Sequence, residues 1–325
     1  MKQARTTTKH FPFVLALVAI FAASFTSCAT APRQDAVGAG IHGLISRVEY
    51  GGNVAYIFGS AHMGRAHWFP LHPVAQDAIA RADVFAFEVD MALMTAPEVV
   101  LYTQRLMMLP AGMTLQDILL PDTFARLLEY LETFPNVTYE ILAPFTPVGA
   151  LMIITLFELV PLMNVYSGYS VDSYIHAAAL ARGRPVIGLN DIFREIELLY
   201  AVPMYIQQTV FDDFGDFPSM AQAVIDMALM EAYEAQDAAM LRSAMSSAMP
   251  IYGEEASLYA RHLHEVTWQI RSRLFADEIA RLLWETQEPT TFFVTIGIGH
   301  LIGGDFGNVF SFLGDMGFSV APLWE

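Results

Sequence analysis

The sequence predicts an α/β fold: a central mixed β-sheet, helices around it, and a helical insertion between the two halves of the sheet. Three observations carry this expectation. Apolar runs of strand length alternate with amphipathic helical patterns toward both ends of the chain. Two of those runs, Val54–Phe58 and Thr291–Ile296, finish in the same way, at Gly59-Ser60-Ala61-His62 and at Gly297-Ile298-Gly299-His300. The middle of the chain is mostly helical in pattern.

In order, Ile41–Glu49 and Asn53–Phe58 flank Gly51-Gly52, a hairpin signal. Gly59 and its small neighbours allow a tight turn at the strand end, which presents His62 at a sheet edge. His67 and His72 follow in a loop at five-residue intervals, a spacing that fits neither a helix face nor a strand face, so they read as solvated. Residues 72–82 make a helix with a stripe of Val74, Ala78, Ile79 and Ala82. Asp83–Asp90 is a strand, apolar up to Glu88. A carboxylate there is costly unless it is paired or bound to metal. Helices are expected over 96–108, 114–120 and 121–133.

Phe145–Met163 is the most apolar internal run. Glu158 lies within it, Pro147 opens it and Pro161 closes it, so it reads as a buried core helix rather than a membrane span. A helix reaching Arg182 is capped by Gly183. Pro185–Asn190 is a short strand, and Asp191–Tyr200 a helix broken by Pro203. Ser219–Met249 is expected as an Ala- and Met-rich helix, and Tyr252–Glu285 as one or two long ones that carry Arg261, Arg271, Arg273 and Arg281. Strand Thr290–Ile296, helix Asp305–Met316 and strand Phe318–Leu323 close the chain.

The chain has 325 residues and is 54% hydrophobic, enough for a sizeable core. Its formal charge is −17; without Lys2, Arg5 and Lys9 of the first 27 residues it is −17 − 3 = −20. An acidic body of this kind argues against nucleic acid as a partner. The three basic residues form an n-region, and Phe11–Phe25 an apolar h-region too short for a confident membrane span. Thr26 and Ser27 precede Cys28, the only cysteine, in a pattern that resembles a bacterial lipobox with Phe25 where leucine is more usual. The expectation is a signal peptide over 1–27, a lipidated tether over 28–40 anchored to the membrane through Cys28, and one domain over 41–325. Such a protein would be exported to the bacterial cell envelope.

The residues alone nominate His62, Glu88 and His300. Two imidazoles and a carboxylate suit a divalent transition metal with open positions, and such a metal activates water for hydrolysis. A nearby arginine could hold a developing oxyanion or a substrate carboxylate. The plainer alternative is that each histidine hydrogen-bonds its own loop.

The order Tyr56-Ile57-Phe58-Gly59-Ser60-Ala61-His62, Phe85-Ala86-Phe87-Glu88, Val171-Asp172, the stretch 183–189 and Ile296-Gly297-Ile298-Gly299-His300-Leu301 resembles the TraB/GumN family, which includes the Tiki metalloproteases. The resemblance spans roughly Ile41–Val320. It implies His62, Glu88 and His300 as a metal centre holding manganese, cobalt or zinc. Glu88 would be ligand or general base, and Arg271 an electrophilic clamp. Ser60, Asp172, Asn190 and Asp191 are the candidate supporting residues. The chain departs from the family at Ser272, where asparagine is usual, and at Asn190, where a glutamate is usual and for which Asp191 could substitute. The implied function is a metal-dependent, peptidase-like envelope hydrolase. The alternative is a non-catalytic envelope lipoprotein that binds a small ligand, metal or haem in the same pocket.

Overall fold

The computed structural model describes residues 40–62, 64–133, 137–166, 170–212, 227–248, 256–303 and 307–324. The signal peptide expected over 1–27, Cys28 and most of the tether expected over 28–40 lie outside them. Six strands form one mixed sheet: β1 Ser46–Tyr50, β2 Asn53–Ser60, β3 Val84–Phe87, β4 Val186–Gly188, β5 Thr291–Gly297 and β6 Val320–Pro322. Their spatial order is β4-β3-β5-β2-β1-β6. The first four of that order are mutually parallel, and β1 runs antiparallel to both β2 and β6.

The hairpin β1–β2 turns at Gly51-Gly52, whose φ angles are +59° and +96°. Positive φ at both central residues matches the strand twist. The centre of the sheet is aromatic: Phe58 on β2 and Phe85 on β3 each lie against Phe293 of β5, with ring centroids 5.9 and 5.8 Å apart. Cross-strand ring pairs of this kind fix register, because a one-residue slip of any of the three strands would turn its ring to the other face, away from its partners.

The main core lies around the sheet and draws on helices Pro73–Arg81, Val171–Ala181, Ala238–Ala248 and Arg271–Glu285. A second apolar cluster belongs to the helical insertion and includes Met107, Leu115, Leu127, Phe145, Leu151 and Phe211. The apolar run forms a helix over Pro147–Tyr166. It continues past Pro161, where a stop was expected. Among the described residues, no helix is long and apolar enough to cross a membrane.

Two other helices differ from expectation. The described part of 219–249 is two helices, Met227–Glu234 and Ala238–Ala248, divided where Gln236 takes φ +58°. The long C-terminal helix is Leu258–His264, then a π turn over Glu265–Ile270, then Arg271–Glu285. A π turn adds residues to the helical path and so rephases everything after it.

Candidate functional site

The four parallel strands deliver their carboxyl ends to one edge of the sheet, where open α/β folds place ligand sites. His62 follows β2, Glu88 follows β3, Asn190 follows β4, and Gly297 ends β5. The pairing continues past the strands: Leu189 N donates to Phe87 O at 2.7 Å, Asn190 N to Glu88 O at 2.9 Å, and Ile298 N to Ser60 O at 2.7 Å.

Crowding explains the glycines of the two Gly-x-x-His segments. A Cβ on Gly59 would lie 2.3 Å from Ile298 Cδ1, and one on Gly297 would lie 3.0 Å from His62 Nε2 and 3.1 Å from Glu88 Oε1. The tight turn expected at Gly59 is made instead by His62, with φ +58°. Few non-glycine residues adopt that conformation. Ser60 Oγ accepts from the His62 amide at 2.9 Å and so supports it.

The side chains form a chain of alternating charge. Ser60 Oγ donates to Asp172 Oδ2 at 2.5 Å, and Asp172 Oδ2 faces His62 Nδ1 at 3.3 Å. His62 Nε2 faces Glu88 Oε1 at 3.9 Å. Glu88 Oε1 accepts from the Gly297 amide at 2.7 Å, and its Oε2 from Arg271 Nη2 at 2.8 Å. Arg271 Nε is ion-paired with Glu195, and Asn190 Nδ2 donates to Glu195 Oε2 at 3.0 Å. The His62 side chain is 48% exposed, whereas those of Glu88 and Arg271 are 17% and 12% exposed. His62 is therefore where solvent meets the chain.

The charges set the protonation states. Burial alone would lower the His62 pKa, but the charge and hydrogen bond of Asp172, with help from Glu88, raise it from 6.5 to about 9. Burial pushes Glu88 up, and the Arg271 guanidinium, the His62 charge and the Gly297 amide more than reverse that, to about 2. His300 is lowered to about 3 by burial first and then by the neighbouring Arg271 cation. Burial raises Glu195.

His300 is accordingly neutral. Its Nδ1 lies 2.9 Å from Ser272 Oγ and its Nε2 3.5 Å from Arg271 Nη1. The tautomer consistent with the nearby cation carries its proton on Nδ1 and turns the Nε2 lone pair to the guanidinium. Trp268, from the π turn, packs on the same ring at 5.3 Å, and Phe275 meets it edge-on at 5.1 Å. Ser272, a departure from the family pattern, is thus the hydrogen-bond partner of His300.

His62, Glu88, His300, Arg271, Ser60, Asp172 and Asn190 all meet at this edge. Asp191 does not. Its carboxylate caps helix Ile192–Tyr200 by accepting from the Phe193 and Arg194 amides at 3.0 Å each. It is exposed and cannot substitute for a buried acid. The acid that arrives instead is Glu195, which the sequence reading missed. The available signal was its place between Ile192 and Ile196, on the buried face of the helix. His67 and His72 lie elsewhere: His67 Nε2 faces Glu234 Oε1 at 2.5 Å, and His72 accepts from the Val74 amide as the N-cap of helix Pro73–Arg81.

Of the expected metal donors, His62 Nε2 and Glu88 Oε1 stand 3.9 Å apart, a gap that two metal bonds of about 2.0–2.2 Å span only at a wide angle. The His300 atom nearest the space beside Gly297 that these two face is a carbon, Cδ2. Arg271 already occupies Glu88 Oε2 and approaches His300 Nε2. Among the described residues, no group of three His, Cys, Asp or Glu side chains is disposed to hold a metal ion. The donor types suit a metal, but this arrangement is organised around a guanidinium.

A description of the TraB/PrgY/gumN family matches residues 44–322. No curated protein and no solved structure matches the chain.

Proposed function

The chain belongs to the TraB/PrgY/gumN family, and from that premise we propose that it is a hydrolase of acyl bonds, peptide bonds foremost, working through proton transfer at His62. The observation that carries this reading is the Asp172–His62 pair. Asp172 fixes Nδ1, and Nε2 sits at the half-exposed end of an otherwise buried charge network. Pairing with a carboxylate holds an imidazole in one orientation and one tautomer, as a general base requires.

In the reaction, neutral His62 takes a proton from water as the water oxygen bonds to the substrate carbonyl carbon. Arg271 Nη1, the guanidinium nitrogen with no carboxylate partner among the described residues, donates to the developing oxyanion. Protonated His62 then passes the proton to the leaving amine as the C–N bond breaks. Glu88 keeps Arg271 in place and balances its charge.

The cellular part of the proposal rests on the leader pattern and Cys28: an exported lipoprotein of the bacterial cell envelope, held to the membrane by lipid. The same pocket in a non-catalytic envelope protein, binding a small ligand, metal or haem, is the second reading. It is favoured by the raised pKa of His62, about 9, which keeps the imidazole protonated at neutral pH, a form that holds an anionic group rather than one that takes a proton. Incubation of the purified protein with a broad peptide library, with and without chelator, separates the two. Cleavage by the parent and none by His62→Ala supports the hydrolase. No cleavage by the parent, or equal cleavage by both proteins, overturns it.

A further inference from the structure

Arg271 is held from two sides. Glu88 takes its Nη2 edge at 2.8 Å and Glu195 takes its Nε. Glu195 is in turn fixed by Asn190 Nδ2 at 3.0 Å, and the Asn190 amide is tied to Glu88 O at 2.9 Å. Asn190 and Glu195 are both buried. A guanidinium presents its donors in a rigid planar fork, so two carboxylates on different edges determine the plane as well as the position. A single carboxylate would leave rotation about the shared contact. With both in place, Nη1 is left toward His300 Nε2 at 3.5 Å, longer than a good hydrogen bond and still able to donate.

We propose that Glu195 is a positioning residue that fixes the Arg271 guanidinium with Nη1 facing the site, and that Asn190 delivers it there. The acid that the resemblance expects at position 190 is supplied in this chain five residues later (195 − 190 = 5), from the first turn of the next helix. Asn190 and Glu195 then form one unit whose charge can be exchanged between its members. The inference rests on the reading of Arg271 as the donor to developing negative charge, but the placement of the guanidinium can be measured without it.

The experiment uses the full chain as parent, as Glu195→Gln, and as the exchange Asn190→Glu with Glu195→Gln. Phenylglyoxal modification of Arg271 is followed by peptide mass spectrometry, alongside kcat and KM. Glu195→Gln should let Arg271 react about tenfold faster, the factor carried by one lost charged hydrogen bond. It should also lower kcat by a similar factor while KM stays put. The exchange should return both toward the parent, which a merely stabilising ion pair would not do. A parent-like modification rate in Glu195→Gln overturns the proposal. So does an exchange protein that melts cooperatively yet leaves Arg271 as reactive as in Glu195→Gln. If the exchange protein does not melt cooperatively, the Glu195→Gln modification rate decides alone. Faster modification combined with no hydrolysis by any of the proteins sinks the hydrolase reading and leaves the placement of Arg271 by Glu195 standing.

Discussion

Replacing Glu88 by glutamine keeps the side chain's shape and its acceptor for the Gly297 amide, but removes a charge that faces Arg271 at 2.8 Å and His62 at 3.9 Å. The magnitude follows from protonation. Glu88 falls from an ordinary 4.5 to about 2 in the folded protein. At about 1.4 kcal/mol per pH unit, its ionised form contributes roughly 3 kcal/mol of stability, in line with the cost of breaking a buried ion pair. A depressed carboxylate pKa adds stability that is fully present above 4.5 and is lost as pH falls toward 2. Urea unfolding of parent and Glu88→Gln, followed by tryptophan fluorescence, should therefore show a gap of about 3 kcal/mol at pH 7. That gap should narrow steadily below pH 4.5. Equal midpoints at pH 7 would refute the argument, and so would a gap that stays constant down to pH 3, because the stabilisation would then not be ionic.

Gly297→Ala should insert a methyl group between His62 Nε2 and Glu88 Oε1; a stability loss of about 1–3 kcal/mol with a larger fall in kcat is expected, and unchanged turnover would show that this space is not used. If His62 is the base, kcat/KM should rise with pH until it levels near 9, where the neutral imidazole takes over; a profile flat from pH 6 to 10 removes His62 from that role. The same raised pKa means that protonated His62 stabilises the fold fully below 6.5 and that this contribution fades as pH rises through about 9. Cys28→Ser should abolish metabolic labelling by fatty acid, and labelling that persists would rule out Cys28 as the lipidated residue.

The strands were legible because their apolar runs are short, β-branched or aromatic and bounded by Gly or polar residues. Their convergence was legible for the same reason: His62, Glu88 and Gly297 each stand where an apolar run stops, and parallel neighbours bring such ends together. What lay outside reach was the division of labour among the carboxylates. Asn190, Asp191 and Glu195 fall within six residues, and only three-dimensional burial separates the cap from the site. Adjacency in sequence favoured Asp191, whereas Asp191 is the N-cap and spends its carboxylate on the helix's own amides, and Glu195 sits one turn in on the face shared with Ile192 and Ile196. The π turn before Arg271 was equally hidden, since apolar periodicity does not distinguish it from continuous helix. Helix Pro147–Tyr166 runs past Pro161 because the proline rule is a tendency about local geometry and not a prohibition.

Strand β5 carries a consequence for how this protein is made. It lies between β2 and β3 in the sheet, yet it leaves the ribosome more than two hundred residues after either of them. Until Thr291–Gly297 has been synthesised, β2 and β3 have no shared neighbour, and each offers an open apolar edge to any other strand. Exposed strand edges of this kind favour aggregation, so shielding by a chaperone is expected to be of most use until Thr291–Gly297 has emerged. The same strand supplies the Gly297 amide that holds Glu88. The strand that joins the two halves of the sheet is thus also the strand that completes the hydrogen bonding of Glu88.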